Sequence, residues 1–402
     1  MNNLTKSIFG GSLILLITIN LFNLLNFIFN ISMAHLLSLE EYGTLTTLIY
    51  FVVIFAIFSE SIQTIVSKYS TNEKENGKLK NMFKKIIWKS FCISIILFTI
   101  FLILSIGFSK ILNINYSLFF ITGFMIFAAF LLPVSRGLMQ GKKRFLYLGS
   151  NMILEGSIKL FIAIMLVLMG WGIFGSLLGV VLGSLGAFLF SFRDIKYILS
   201  SKEKNTKMPN IRSYSKPVFI LMTSVILFIS LDIILAKIFF DAETVGVYAI
   251  ASTMAKIIFI GTQPIGKAMF PFTSEEKKRK YSERSFFDFF LFISLLSGIF
   301  LLFIYFFPDF LINLYSGRII PEAANILFYL ALSMTFLSFA NIFLMYNLSI
   351  DKTKKFEILF LFVGLEIILL SIFNNNLLEF SMALVVSSAA FMWGSIMLTN
   401  RK

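Results

Sequence analysis

A single cysteine, Cys92, leaves no partner for an internal disulfide, and a single histidine, His35, excludes a multi-histidine metal site. Charge is scarce too. Only 14% of the 402 residues are Asp, Glu, Lys or Arg, against about 25% in an ordinary soluble domain. There is no Gly-rich phosphate loop, no metal-ligand cluster and no serine–histidine–acid set beyond His35. No outer loop is long enough to house a glycosyl-transfer site. The chain carries no catalytic signature.

What is abundant is apolar surface. Hydrophobic residues make up 58% of the chain, 50 of them Phe, and the mean hydropathy is +0.88. The apolar runs mostly reach about 20 residues, the length that crosses a hydrocarbon layer of about 30 Å. Backbone groups in that layer must pair within their own segment, so the runs are helices. They lack the period-two alternation of a membrane barrel. The pattern predicts an all-α integral membrane protein with twelve spans, among them 8–37, 42–67, 146–169, 172–192, 214–240, 245–270 and 356–373.

The loops fall into two alternating sets. One carries most of the 35 Lys and Arg residues, in stretches such as "GKKR" at 141–144, "RDIKYILSSKEK" at 193–204 and "DKTKK" at 351–355. The other is short and holds only Lys110 and Arg318. The positive-inside rule places the basic set and both termini in the cytoplasm. The net charge of +14 is therefore a topology signal. No aromatic-basic nucleic-acid module accompanies it.

The chain also repeats itself. "SLEEYG" at 38–43 and "DAETVG" at 241–246 each join two apolar runs, half a chain apart. Six spans per half keep both halves in the same orientation, as parallel repeats. The expected division is a six-helix bundle over 1–192, a cytoplasmic linker over 193–213 and a second six-helix bundle over 214–402. A substrate site is expected between such halves.

Ionisable side chains inside spans cost about 2.5–3.5 kcal/mol to insert, so each raises a functional question. Ser252, Lys256, Gln263 and Lys267 fall within about 60° on one helix face and read as a polar stripe offered to an anion. Lys267, near the basic end, reads equally as a snorkelling anchor. Asn20, Asn23, Asn26 and Asn30 share about 120° of the first span; interhelical hydrogen bonding is the alternative there. Glu60 shares a face with Thr46, Gln63 and Thr64 but lies near the basic end. Glu155 and Lys159, four apart with the acid first, favour an intrahelical pair. Asp232 and Lys237 lie about 140° apart, so Asp232 is expected to find its cation on another helix. It is also the most attractive proton or sodium site. Arg136 fits either a phosphate or a flanking anchor. Glu366 has no evident partner. Gly175, Gly179 and Gly183 form a small-residue packing ridge.

Several stretches carry a family resemblance in chain order: "HLLSLEEYGTLTTLIYF" with "SIQTIVSKYS", "SRGLMQGKKRFLYLGSNMILEGSIKLFIAIMLVL", "SLDIILAKIFFDAETVGVYAIASTMAKIIFIGTQPIGKAMFPFTSE" and "LYSGRIIPEAANILFYLALSMTFLSFANIFLMYNLSIDKTKK". Together they resemble the polysaccharide-biosynthesis, lipid-linked oligosaccharide flippases of the multidrug/oligosaccharidyl-lipid/polysaccharide (MOP) exporter superfamily. The resemblance implies a MATE-like fold of two six-helix bundles, with spans 1, 2, 7 and 8 lining a central cavity. It implies a transporter of the cell membrane that moves polyprenyl-(pyro)phosphate-linked oligosaccharide to the outer leaflet by alternating access. Lys256, Arg136, Lys237, Lys267, Gln263, Asn23, Asn26 and Asn30 are then the expected head-group and glycan contacts. Asp232, Glu60, Glu155 and Lys159 are the expected ion-coupling or gating residues. No cofactor is expected beyond H+ or Na+, and the expected partners are membrane lipid and glycan polymerase or ligase machinery. A cation-coupled multidrug exporter of the same superfamily is the rival. A membrane sugar-lipid ligase or polymerase is disfavoured by the short outer loops.

Overall fold

The computed structural model describes residues 3–206, 215–273 and 279–400. In chain order its first helices are α1 (Asn3–Leu36), α2 (Leu39–Val53), α3 (Ala56–Asn72), α4 (Asn76–Ile111), α5 (Tyr116–Gly141), α6 (Phe145–Leu166), α7 (Gly172–Asp194) and the short α8 (Lys196–Leu199). They are followed by α9 (Ser215–Phe239), α10 (Ala242–Thr273), α11 (Arg279–Phe306), α12 (Pro308–Ser316), α13 (Pro321–Ser349), α14 (Leu359–Ile372) and α15 (Leu377–Asn400). The chain is a multi-pass membrane protein, and ten helical stretches among the described residues are long and apolar enough to cross a bilayer. One stretch, Phe145–Asp194, holds two of the expected spans, α6 and α7. The span expected at 356–373 contains only 14 α-helical residues, because Lys355 is left-handed and Phe356–Ile358 is a 3-10 turn.

The chain divides into two compact units, Met1–Leu37 with Phe51–Arg212 and Ser38–Tyr50 with Ser213–Lys402. In the first unit α6 and α7 turn on a π-type segment, Val167–Trp171, where Gly170 takes φ 88°. They then run antiparallel. Gly175 faces Leu166, Gly179 faces Ala163 and Gly183 faces Glu155 and Lys159, so the small-residue ridge packs as its spacing predicts. Val66, Leu79, Phe83, Val134, Leu138 and Ile198 form a buried core at the basic ends of their helices.

Two sequence expectations change. The span expected at 42–67 is broken at 54–55 between α2 and α3. There the Phe55 amide bonds the Val52 carbonyl at 2.8 Å, a three-residue step that interrupts the α-helical ladder. The loop before α13 also contains a helix, α12. It starts with Pro308 at its first turn and stops at Gly317 in the left-handed region, φ 69°.

The repeated turns are helix starts, and both lie in the second unit. Ser38 and Glu41 form a capping box: the Glu41 amide donates to Ser38 Oγ at 3.1 Å, and the Ser38 amide donates to Glu41 Oε2 at 3.0 Å. At the other copy the Thr244 amide donates to Asp241 Oδ2 at 3.4 Å. Five residues after each cap stands a glycine, and the two glycines meet. A Cβ on Gly43 would lie 2.8 Å from the Gly246 amide nitrogen, and one on Gly246 would overlap the Leu39 carbonyl oxygen. Only glycine lets the starts of α2 and α10 approach this closely.

Candidate functional site

The glycine crossing decides what α2 can reach. Two turns after Gly43, the ring of Tyr50 lies under the Lys256 ammonium, 4.0 Å from nitrogen to ring centroid. Lys256 belongs to α10, where Tyr248, Ser252 and Lys256 recur every four residues and so share one face. All three side chains converge on Asp232 of α9. Lys256 Nζ donates to Asp232 Oδ1 at 2.9 Å, Ser252 Oγ donates to Oδ2 at 2.8 Å and the Tyr248 hydroxyl donates to Oδ2 at 3.1 Å.

The pair is sealed from solvent, with side chains 3% and 0% exposed. Two charges in such an interior persist only when paired and hydrogen-bonded, since desolvating either one alone carries a large penalty. The carboxylate has three donors and is satisfied. Glu366 of α14 is also fully buried, yet neither of its carboxyl oxygens has a hydrogen-bond partner. A second buried acidic group thus stands without a donor in the unit that carries the ion pair.

Other expected residues of this unit lie around the pair. Lys237 is buried one turn from the end of α9, 3.4 Å from the Thr44 hydroxyl, and does not join Asp232. Gln263 is half-buried two turns beyond Lys256. The side chain of Lys267 lies outside the described residues. Tyr42 and Tyr315, both fully buried, join hydroxyl to hydroxyl at 2.8 Å.

The first unit holds a second network. Arg136 of α5 extends its fork to α6: Nε donates to Asn151 Oδ1 at 2.9 Å and Nη2 to Glu155 Oε2 at 2.7 Å. Glu155 Oε1 also accepts from Ser184 of α7 at 2.7 Å, and Asn151 donates to the Ala187 carbonyl at 2.7 Å. Lys159 donates to Asn26 of α1 at 2.8 Å and sits 4.0 Å from the Phe29 ring centroid. This corrects the expected Glu155–Lys159 pair. An intrahelical pair is worth about 0.2–0.5 kcal/mol, and the planar guanidinium of Arg136, with several donors fixed in one plane, offers the carboxylate more. Asn23 and Asn30 are half-buried on α1, and Glu60 is exposed on α3.

Sequence reasoning missed Tyr50, Tyr248, Asn151 and Ser184. The four-residue period of Tyr248, Ser252 and Lys256 was a usable signal. Nothing in the chain marks Tyr50, because its role depends on the crossing of Gly43 and Gly246, which lie far apart in the chain.

Comparison with known proteins fits this architecture. Residues 9–277 match the profile of a family described as polysaccharide biosynthesis protein. An uncharacterized membrane protein of Methanocaldococcus jannaschii is 27% identical over 331 residues, covering 78% of each chain. The fold is similar to the lipid II flippase MurJ in an inward closed conformation, with a TM-score of 0.76 at 14% identity over 96% of this chain and 87% of that one. It is also similar to the inward-facing conformation of a multidrug resistance MATE family transporter of the MOP superfamily, with a TM-score of 0.73 at 14% identity over 94% of both chains. The fold is thus the MATE-like fold expected from the sequence.

Proposed function

The chain belongs to the polysaccharide biosynthesis protein family, and from that premise we propose that it is a flippase for polyprenyl-(pyro)phosphate-linked oligosaccharide. It carries the glycolipid from the cytoplasmic to the outer leaflet of the cell membrane by alternating access, with both termini cytoplasmic. It serves cell-surface polysaccharide assembly alongside polymerase or ligase machinery. Family membership over two thirds of the chain is the observation that carries this reading.

The ion pair supplies the chemistry. Lys256 and Arg136 are both held by carboxylates, Asp232 and Glu155. A substrate phosphate competes with a carboxylate for the same ammonium, so head-group binding at Lys256 exchanges one anion for another. Asp232 left without its cation in a nonpolar interior takes up a proton or a small cation. Substrate binding and ion binding are then linked at one carboxylate. Lys237 and Gln263 extend the polar surface on the same two helices, and Lys267 is a further candidate by its place in the sequence of α10. Asn23, Asn26 and Asn30 on α1 offer amides to the glycan. Glu60 acts in gating, while Glu155 and Lys159 hold α5, α6, α7 and α1 together.

The test is translocation of a polyprenyl-pyrophosphate oligosaccharide in proteoliposomes, with and without an imposed proton or sodium gradient. Protein-dependent exposure of the sugar to an external lectin or glycosidase is the expected result. Gradient-driven efflux of a cationic dye, with no sugar exposed for any of several glycans, would establish the multidrug exporter instead.

A further inference from the structure

A pocket of about 660 Å³ opens in the first unit where α6 begins and α7 ends, and no step of the transport reading uses it. That volume lies within the roughly 300–1,000 Å³ of ordinary ligand sites. Its lining is cationic and aromatic. Arg144, Arg193 and Lys196 face one carboxylate, Asp194, and the two tyrosines Tyr147 and Tyr197 form part of the wall.

Arg144 is preorganised. Its guanidinium donates to the Asp194 backbone carbonyl and lies against both tyrosine rings, 3.7 Å from the Tyr147 centroid and 4.6 Å from that of Tyr197. A guanidinium held flat by two rings keeps its remaining N–H groups in a fixed plane, the geometry that receives a phosphate. Asp194 is 6% exposed, whereas Arg193 and Lys196 are exposed, so the charge presented at the opening is positive. The pocket lies at the end of two membrane spans, and Leu146 and Leu189 beside it are 64% and 68% exposed. Tyrosines at a span end with bare leucines next to them match the level at which a lipid head group meets its chains.

We propose that this pocket binds the phosphate head group of an anionic phospholipid, with the acyl chains lying along the exposed leucines. The site is separate from the Asp232–Lys256 pair, and its occupant is a bilayer lipid, not the transported glycolipid.

The test is native mass spectrometry of the full chain released from detergent and titrated with phosphatidylglycerol or phosphatidylcholine. Wild-type protein is expected to retain phosphatidylglycerol in preference to phosphatidylcholine. Lys196→Gln should weaken that retention about fivefold, and Arg193→Gln with Lys196→Gln should weaken it further, since each cation near a lipid surface contributes about that factor. Both side chains are exposed, so neither variant threatens folding. Unchanged retention in the double variant would overturn the proposal. So would displacement of phosphatidylglycerol by millimolar inorganic phosphate, which would make the pocket a site for a soluble phosphate.

Discussion

The two units solve the same problem, a charge inside a membrane, in different ways. In the first, Arg136 bonds two acceptors on α6, and Glu155 in turn accepts from α7. Each named member has a partner, and the network ties α5, α6 and α7 together while Lys159 reaches α1. In the second, one ammonium meets one carboxylate, three donors crowd that carboxylate, and a second buried acid, Glu366, has no donor. The first arrangement is over-determined and resists change. The second is poised, because losing or gaining one ligand at Asp232 alters the charge of the whole cluster. On the function proposed above, a clamp and a switch are built from the same residue types, and the difference lies in how many partners each charge has.

The largest expected effect follows from breaking the switch. Lys256→Met leaves Asp232 buried without its cation and should cost about 3–5 kcal/mol of stability. It should also abolish flipping. Pairing it with Asp232→Asn removes the stranded charge, so the double variant should recover most of the thermal midpoint, followed by intrinsic fluorescence in detergent, yet still fail to flip. Normal flipping by either variant would remove the pair from the mechanism.

Breaking the clamp should matter less. Glu155→Gln keeps the Ser184 bond in part but strands Arg136, whose side chain is 12% exposed. Loss of a hydrogen bond to a charged group costs about 1.5–3 kcal/mol. Flipping per folded molecule should persist. If this variant folds as wild type and loses flipping, the contrast between the units is reversed.

The crossing that brings Tyr50 under Lys256 gives a smaller effect of the overpacking kind. Gly246→Ala forces a methyl group into the Leu39 carbonyl and should cost about 1–3 kcal/mol. Gly364→Ala, where the added methyl meets open space, is the control and should leave the thermal midpoint near wild type.

These contrasts mark how far the sequence could be read. Apolar runs and alternating basic loops made the membrane class and most spans legible, because length and hydropathy are properties of single segments. The recurrence of a cap followed by a glycine was visible as "SLEEYG" and "DAETVG". That the two glycines touch was not, since contact between distant segments leaves no local mark. Asp232 was legible as an acid needing a cation from another helix, and Lys256 on α10 is that cation. The pairing of Glu155 was misread because a four-residue spacing was weighed without Arg136, whose approach depends on how α5 packs. The break at 54–55 was invisible for a related reason: the stretch "IYFVVIFAIF" is one unbroken apolar run with neither Pro nor Gly, the usual marks of a kink.

The smallest effect lies outside the bilayer, at the cap of α10. The hydrogen bond from Thr244, aided by the free amides of the helix start, holds the Asp241 carboxyl below the usual carboxylate range. A carboxyl depressed in the folded state contributes stability that is fully present above its unfolded value of about 3.9. That contribution fades as the pH falls through the lower folded value. Asp241 is exposed, so solvent screens most of the interaction. Asp241→Asn keeps the cap and removes the charge. Its thermal midpoint should lie slightly below wild type at pH 6 and converge with it near pH 3. A difference that widens on acidification would mean that the carboxyl is neutral in the folded protein and that the cap of the second repeat works through its hydrogen bond alone.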